Sequence, residues 1–285
     1  MKTGIIDVGG GMRGVYGAGV LDCCMDHNIR FDVCVGVSAG AANLCAYLSG
    51  QRGRNYHYYC DYAFRPEYMG WRHYLRERNY INLDYIYGTL ANHDGENPLD
   101  FPKLLENPAG FIVVTTDAET GKPCYFCKDD MAQDDYTVVK ASSSVPIVNR
   151  PYPVNGHPYF DGGVSDPIPL PKCLEQGCDK VVVILTRPRD FRREAKTDKY
   201  FVKMLRRKYP QMAESLQRRA DAYNSGVELA LEYEKKGIVK VIAPSDIGKM
   251  KTLNRSKEDM DALYLKGLKD GEQILDFLGA QPPLV

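Results

Sequence analysis

A serine lies between two glycines in the segment GVSAG, residues 36–40, directly after the apolar run FDVCVGV. In the pattern G-x-S-x-G the serine occupies a sharp turn between a strand and a helix, and the flanking Gly36 and Gly40 let the two elements close around it. Such a turn presents the hydroxyl at the end of the sheet, where it can attack a substrate. Ser38 is therefore a candidate nucleophile.

A glycine-rich loop follows the first apolar run, and its residues 9–14 fit the pattern G-x-G-x-x-G. One interpretation is a dinucleotide-binding loop, which needs an acidic residue at the end of the second strand to bind the ribose hydroxyls. The second strand instead ends at Ser38, and Asp32 lies at its beginning. A nucleotide-binding oxidoreductase remains an alternative that NAD binding would support.

The same loop also fits an oxyanion hole made by Gly9, Gly10 and Gly11. Parallel strands place the loops that follow them at one edge of the sheet, so the glycine N–H groups are expected to face Ser38. The N–H groups of Gly10 and Gly11 suit the oxyanion of a tetrahedral acyl intermediate. Arg13 would orient this loop or add positive charge, or it is an ordinary surface arginine.

A serine nucleophile needs a group that takes its proton. None of the five histidines lies beyond residue 157, although two strand-like runs follow, and this order disfavours an α/β-hydrolase triad. Asp161 in YFDGGVSDPIP is the better candidate, because the two glycines after it permit a tight turn close to another backbone. An ordinary Asp-Gly-Gly turn would have the same sequence.

Short apolar runs rich in β-branched residues alternate with helical patterns, which predicts an α/β fold with a mainly parallel central sheet. The runs are TGIIDV, FDVCVGV, GFIVVTT, KVVVILT and GIVKVIA. Residues 51–108 interrupt this alternation and are rich in tyrosine, so they form a cap-like insertion. Its tyrosines either line a pocket for an apolar ligand or pack over a sheet edge.

The composition limits the possible partners. The 285 residues include 37 basic and 37 acidic side chains, so no overall field favours nucleic acid. The nine cysteines favour reduced thiols and a cytoplasmic protein, and no apolar stretch has the length of a membrane span. Cys124 and Cys127 form one C-x-x-C, which fits a strand better than a metal or redox site.

A basic segment begins after residue 187 and contains Phe191, Tyr200 and Met204 among its arginines and lysines. A basic amphipathic stretch can contact an anionic membrane surface. More often such a stretch is a solvated helix face whose apolar stripe packs on the core. Both interpretations stay open from the sequence.

Four segments together resemble the patatin-like phospholipase family: GGGMRG (9–14), GVSAG (36–40), ASSSVP (141–146) and DGG (161–163). The resemblance implies a three-layer α/β/α fold and a catalytic domain over residues 1–186. Residues 187–285 would form a helical region with one strand, packed on the same domain.

The resemblance also implies a function. Ser38 and Asp161 would form a catalytic dyad, and Gly9, Gly10, Gly11 and Arg13 would form the oxyanion hole. The substrate would be a lipid acyl ester, such as a phospholipid, a lysophospholipid or an acylglycerol, and no cofactor or metal is implied. The alternative is a non-catalytic module that binds lipid or protein on the same fold.

Overall fold

The computed structural model describes residues 1–279, and in this range eight strands form one mixed sheet with helices on both faces. The strands are β1 (Thr3–Asp7), β2 (Val33–Val37), β3 (Gly110–Asp117), β4 (Pro123–Cys127), β5 (Tyr152–Val154), β6 (His157–Asp161), β7 (Lys180–Ile184) and β8 (Val239–Ile242). The helices are α1 (Val15–Asp26), α2 (Ala39–Leu48), α3 (Arg54–Cys60), α4 (Trp71–Glu77), α5 (Phe101–Glu106), α6 (Thr137–Ser142), α7 (Leu170–Glu175), α8 (Lys199–Leu205), α9 (Pro210–Lys235), α10 (Lys257–Gly271) and α11 (Gln273–Leu278).

The strand order is β5-β6-β3-β2-β1-β7-β8, and β4 pairs with β3 beside this path. The five central strands from β3 to β8 are parallel to one another, whereas β4 and β6 run antiparallel to β3 and β5 runs antiparallel to β6. The predicted α/β fold with a mainly parallel central sheet is therefore confirmed.

The central strands are apolar on both faces because helices cover both sides of the sheet. Every residue of β1 and β2 is buried, as a parallel sheet between two helical layers requires. Ile5 packs into the core on the side of α1, α2 and α10, while Ile6 packs on the side of α7 and α9. Neighbouring residues of a strand thus pack against the helices on opposite faces of the sheet.

The region after residue 187 belongs to the same sheet and the same helical layers. Strand β8 pairs in parallel with β7, with Val239 opposite Val181. Helix α10 lies directly on α1, where a Cβ at Gly19 would stand 2.2 Å from the carbonyl oxygen of Tyr264. A Cβ at Gly267 would be equally close to the carbonyl oxygen of Tyr16, so both glycines are needed for this contact.

The tyrosine-rich insertion covers the sheet near its carboxyl edge with short elements. It contains α3, α4, a π-helical turn at Tyr85–Thr89 and α5. Tyr58, Tyr59 and Tyr68 are buried, whereas Trp71 and Leu75 on α4 are exposed. The insertion therefore has an inner aromatic layer and an outer surface that carries apolar side chains.

The C-x-x-C pair lies on β4, as the alternation of its residues predicts. All nine cysteines are free thiols, and no group of three or more metal-ligating side chains occurs within residues 1–279. In the same range no helix has the length and apolar character needed to cross a bilayer.

Candidate active site

Ser38 and Asp161 are brought together by the register of two strands on one edge of β3. Strand β2 ends with Val37 opposite Val114. Strand β6 runs the other way and ends with Asp161 opposite Thr115, while β4 occupies the opposite edge of β3. Since β2 and β6 meet end to end at consecutive residues of β3, the residue after Val37 lies beside Asp161.

The backbone at Ser38 has the strained conformation expected of a nucleophile turn. Its φ of 57° and ψ of −131° are rare for a residue with a side chain, and it precedes the first residue of α2. The Ser38 N–H donates to Ser142 Oγ at 2.9 Å, and Ser142 Oγ donates to the carbonyl oxygen of Val114 at 2.7 Å. Ser142 thus ties the turn to β3, a role that the sequence did not reveal.

Gly36 and Gly40 are required by contacts between the strand, the turn and β1. A Cβ at Gly36 would stand 2.4 Å from Ala41 Cα, and a Cβ at Gly40 would stand 2.1 Å from the carbonyl oxygen of Asp7. Real Cβ atoms do not come this close to backbone atoms. The glycines therefore allow α2 to pack against the strands that precede it.

The glycine loop has three consecutive residues with positive φ. The values are 62° at Gly9, 134° at Gly10 and 61° at Gly11, a sequence of angles that side chains disfavour. A Cβ at Gly9 would also stand 2.3 Å from the carbonyl oxygen of Val37, and one at Gly11 would be as close to that of Thr252. The loop is thus fixed between the nucleophile turn and a C-terminal segment.

The N–H groups of this loop divide into one that is paired and two that are free. The Gly9 N–H donates to Asp7 Oδ1 at 2.9 Å, whereas Gly10 and Gly11 N–H have no protein acceptor within residues 1–279. Asn43 Nδ2 donates to the other carboxylate oxygen of Asp7 at 2.9 Å. Burial raises the pKa of Asp7 to about 6, and these two hydrogen bonds oppose the rise.

Asp161 is buried and oriented by the turn that follows it. Its Oδ1 accepts the Gly163 N–H at 2.8 Å. Burial raises its pKa, while the positive charge of Arg219 and a hydrogen bond with the Ser38 side chain lower it. Arg219 Nε also donates to the carbonyl oxygen of Gly163 at 2.6 Å, so α9 braces this turn.

Arg13 is 6 % exposed, and it contacts a C-terminal segment. Its Nη1 donates to Thr252 Oγ1 at 3.0 Å. The guanidinium also lies against Gly10, where a Cβ would stand 3.0 Å from Nη2. The Arg13 side chain therefore packs against the glycine loop and connects it to the segment at Thr252.

Two cavities open at Ser38. The first, called the apolar pocket here, lies under the insertion and is lined mainly by apolar and aromatic side chains. They include Met12, Ala42, Tyr58, Tyr59, Tyr68, Met69, Ile81, Leu83, Ile86 and Tyr87. The second, called the arginine cleft, contains Asp161, the glycine loop and the four arginines Arg13, Arg187, Arg193 and Arg219.

Comparison with known proteins agrees with this architecture. The chain is similar to the uncharacterized protein YjjU of Escherichia coli (strain K12), at 32 % identity over 192 residues, which cover 66 % of this chain. It spans about half of that relative, 52 % of its length. The crystal structure of VipD from Legionella pneumophila resembles the fold with a TM-score of 0.50 at 17 % identity, over 96 % of this chain and 67 % of VipD.

Two family models match the sequence. A domain of unknown function (DUF6363) matches residues 209–281, which include α9 and α10. The model of the patatin-like phospholipases matches residues 8–174, which contain the glycine loop, the nucleophile turn and the Asp-Gly-Gly turn. The chain belongs to the patatin-like phospholipase family.

Proposed function

We propose that this protein hydrolyses acyl esters of lipids, with Ser38 as nucleophile and Asp161 as base. The observation that carries the proposal is the end-to-end meeting of β2 and β6 on β3, which puts the two side chains together in a cleft. The N–H groups of Gly10 and Gly11, which have no acceptor in the described part of the chain, line the same cleft.

In the first step, Ser38 Oγ attacks the carbonyl carbon of the ester and its proton passes to the Asp161 carboxylate. The carbonyl oxygen becomes an oxyanion, which accepts hydrogen bonds from the Gly10 and Gly11 N–H groups. Asp161 then gives the proton to the leaving alcohol as the bond to the acyl carbon breaks. The product of this step is an acyl group esterified to Ser38.

In the second step, Asp161 takes a proton from a water molecule that attacks the acyl-serine. The oxyanion forms again at the same two N–H groups, and its collapse returns the proton to Ser38 Oγ. The fatty acid leaves, and the free enzyme is restored. No further group is needed to balance the protons.

An aspartate is a weak base for an alcohol unless its surroundings favour proton uptake. Burial provides this at Asp161, because it raises the pKa of the carboxyl. The hydrogen bond from Gly163 N–H keeps the carboxylate in place and limits the rise. The net effect is a pKa above that of a free aspartate, so the Asp161 carboxylate is a stronger base than a free one.

The apolar pocket supports a lipid as the acyl donor. Aromatic and aliphatic side chains surround the space next to Ser38, and burial of a hydrocarbon chain there is favourable by about 0.8 kcal/mol for each CH₂ group. Phospholipids, lysophospholipids and acylglycerols all carry such chains. The proposal includes peripheral contact with anionic membranes, because α8 exposes the apolar side chains of Tyr200 and Met204 next to Lys199 and Lys203.

The test is reaction of the full chain with a long-chain fluorophosphonate, followed by intact mass and peptide mapping. We expect one adduct, on Ser38, and none after Ser38→Ala. The matched control is Ser225→Ala on the exposed side of α9, which keeps the adduct. A folded wild-type protein that forms no adduct would contradict the proposal and favour the non-catalytic binding module.

A further inference from the structure

The arginine cleft contains more positive charge than the proposed hydrolysis requires. We propose that Arg13, Arg187, Arg193 and Arg219, beside Ser38, form a binding site for a phosphate group that selects phosphate-bearing esters as substrates. The selection of esters rests on the proposed function, whereas the binding of phosphate does not.

The charges that line the cleft leave an excess of two positive charges. Four arginines face the two carboxylates Asp161 and Asp198. Arg193 is paired with Asp198 at 2.8 Å. Within residues 1–279, neither Arg13 nor Arg187 has a carboxylate at ion-pair distance.

Two of these guanidinium groups have unused hydrogen-bonding capacity. Arg13 is 6 % exposed, yet its Nε has no acceptor within the described part of the chain. The Arg187 guanidinium carbon lies over the Phe191 ring, 4.1 Å from its centre, and its N–H groups donate to no acceptor within residues 1–279. Buried donors without acceptors are costly, and an anion in the cleft would supply the missing partners.

The positive charges of the arginines repel one another, and a bound anion would offset this repulsion. Burial and the neighbouring charge of Arg187 lower the pKa of Arg13. Burial and the charge of Arg193 likewise lower the pKa of Arg187. Like charges kept together in a partly buried cleft, with space between them, are typical of a site for an anion.

Three of the four arginines come from the part of the chain beyond residue 174, where the match to the patatin-like model ends. Arg187 follows β7, Arg193 precedes α8, and Arg219 lies on α9 within the match to the domain of unknown function. The C-terminal region would therefore contribute to substrate choice. The basic segment is divided between this cleft and the exposed surface of α8.

A phosphate group fits both the chemistry and the position of the cleft. Guanidinium groups bind phosphate oxygens through paired, charge-assisted hydrogen bonds. In a glycerophospholipid, the phosphate is attached to the same glycerol that carries the acyl esters. A phosphate in the cleft would thus keep an ester close to Ser38 while the acyl chain enters the apolar pocket.

The test measures binding to the full chain with Ser38→Ala, so that turnover is not involved. Octyl phosphate and octyl glucoside, both below their micelle concentrations, are compared by calorimetry. We expect octyl phosphate to bind at least about ten-fold more tightly. Equal affinity for the two would overturn the proposal. Failure of the proposed hydrolysis would appear separately, as absence of fluorophosphonate labelling of the wild type.

The variant that tests the cleft is Arg187→Gln, added to Ser38→Ala. Its affinity for octyl phosphate is expected to fall at least about ten-fold, while the matched Arg207→Gln on the exposed surface stays within about two-fold. An unchanged affinity in Arg187→Gln would overturn the proposal. If this variant does not fold, the dependence on salt decides, since only octyl phosphate should bind more weakly at high salt.

Inorganic phosphate identifies the source of the phosphate group. If it competes with octyl phosphate at similar concentrations, the cleft binds free phosphate. If it competes only at much higher concentrations, the cleft recognises the head group of a lipid. Both results support a phosphate site, and they differ in whether the alkyl chain contributes to binding.

Discussion

Ser38 and Asp161 lie side by side although their strands, β2 and β6, are not paired with each other. Both strands pair with β3, where Val37 and Asp161 face the consecutive residues Val114 and Thr115. The distance between the two side chains is therefore set by the backbone register of β3, which a substitution of either side chain leaves intact. A substitution of Ser38 or Asp161 can therefore test the proposed role of that side chain without moving the other.

Asp161→Asn should lower kcat at least about 100-fold without loss of stability. Asparagine has the same shape and can still accept the Gly163 N–H, but it cannot take the proton of Ser38. Because burial raises the pKa of Asp161, its charge opposes folding near neutral pH, and removal of that charge should keep or increase the Tm. Activity within ten-fold of the wild type would contradict the role of Asp161 as base.

The pH dependence of kcat/KM should report the environment of Asp161. The base must be ionised, so activity falls as the pH drops through its pKa, and burial places this midpoint above about 3.9. The charge of Arg219 lowers that pKa, so Arg219→Gln should move the midpoint to higher pH. Arg219→Lys keeps the charge and should shift it less. A midpoint that does not respond to Arg219→Gln would exclude Asp161 as the titrating group.

Ser142→Ala should reduce both stability and activity. The change leaves the buried Ser38 N–H and the carbonyl oxygen of Val114 without their partner, at a cost of about 1–3 kcal/mol. Urea unfolding measures the loss, and kcat on a soluble ester measures how well the turn keeps its geometry. Ser225→Ala, the exposed control, should change the free energy of unfolding by less than about 0.5 kcal/mol.

Local sequence patterns predicted the strand, the turns and the helix of the site, because each pattern favours a particular backbone conformation. The strand before Ser38, the helix after it and the positive φ values at Gly9 and Gly11 follow from residue types within a few positions. The partners of these residues come from distant segments. The contact of Ser142 with Ser38 requires α6 to lie against β3, and the contact of Arg219 with Gly163 requires the packing of α9. A local sequence pattern specifies neither arrangement.

The sequence carries a signal for two further residues that support the site. Asp7 is an acid at the end of an apolar strand, two residues before the glycine loop begins at Gly9, and its carboxylate accepts the Gly9 N–H. Asn43 is a polar residue among the apolar positions of α2, and its side chain donates a hydrogen bond to the second carboxylate oxygen of Asp7. A lone polar side chain in a buried element indicates a hydrogen-bonded partner, and here the partners support the loop.

Gly36→Ala should destabilise the protein by about 1–3 kcal/mol and reduce turnover, because the new methyl group would overlap Ala41. The matched control is Gly70→Ala in the insertion, where no atom lies within 4 Å of the added Cβ. Its effect should stay within about 0.5 kcal/mol. Urea unfolding of both variants measures the difference. Equal stability of the two variants would contradict the close approach of β2 and α2.

Ala42→Phe should change which acyl chains are hydrolysed, because Ala42 lines the apolar pocket beside Ser38. A phenyl ring there fills space that a long chain would occupy, so the ratio of kcat/KM for octanoyl to acetyl esters should fall at least about ten-fold. Leu75→Phe is the control, since Leu75 lies in the same insertion but is 80 % exposed. It should leave the ratio unchanged. A ratio that is equally unaffected in Ala42→Phe would mean that the acyl chain binds outside the apolar pocket.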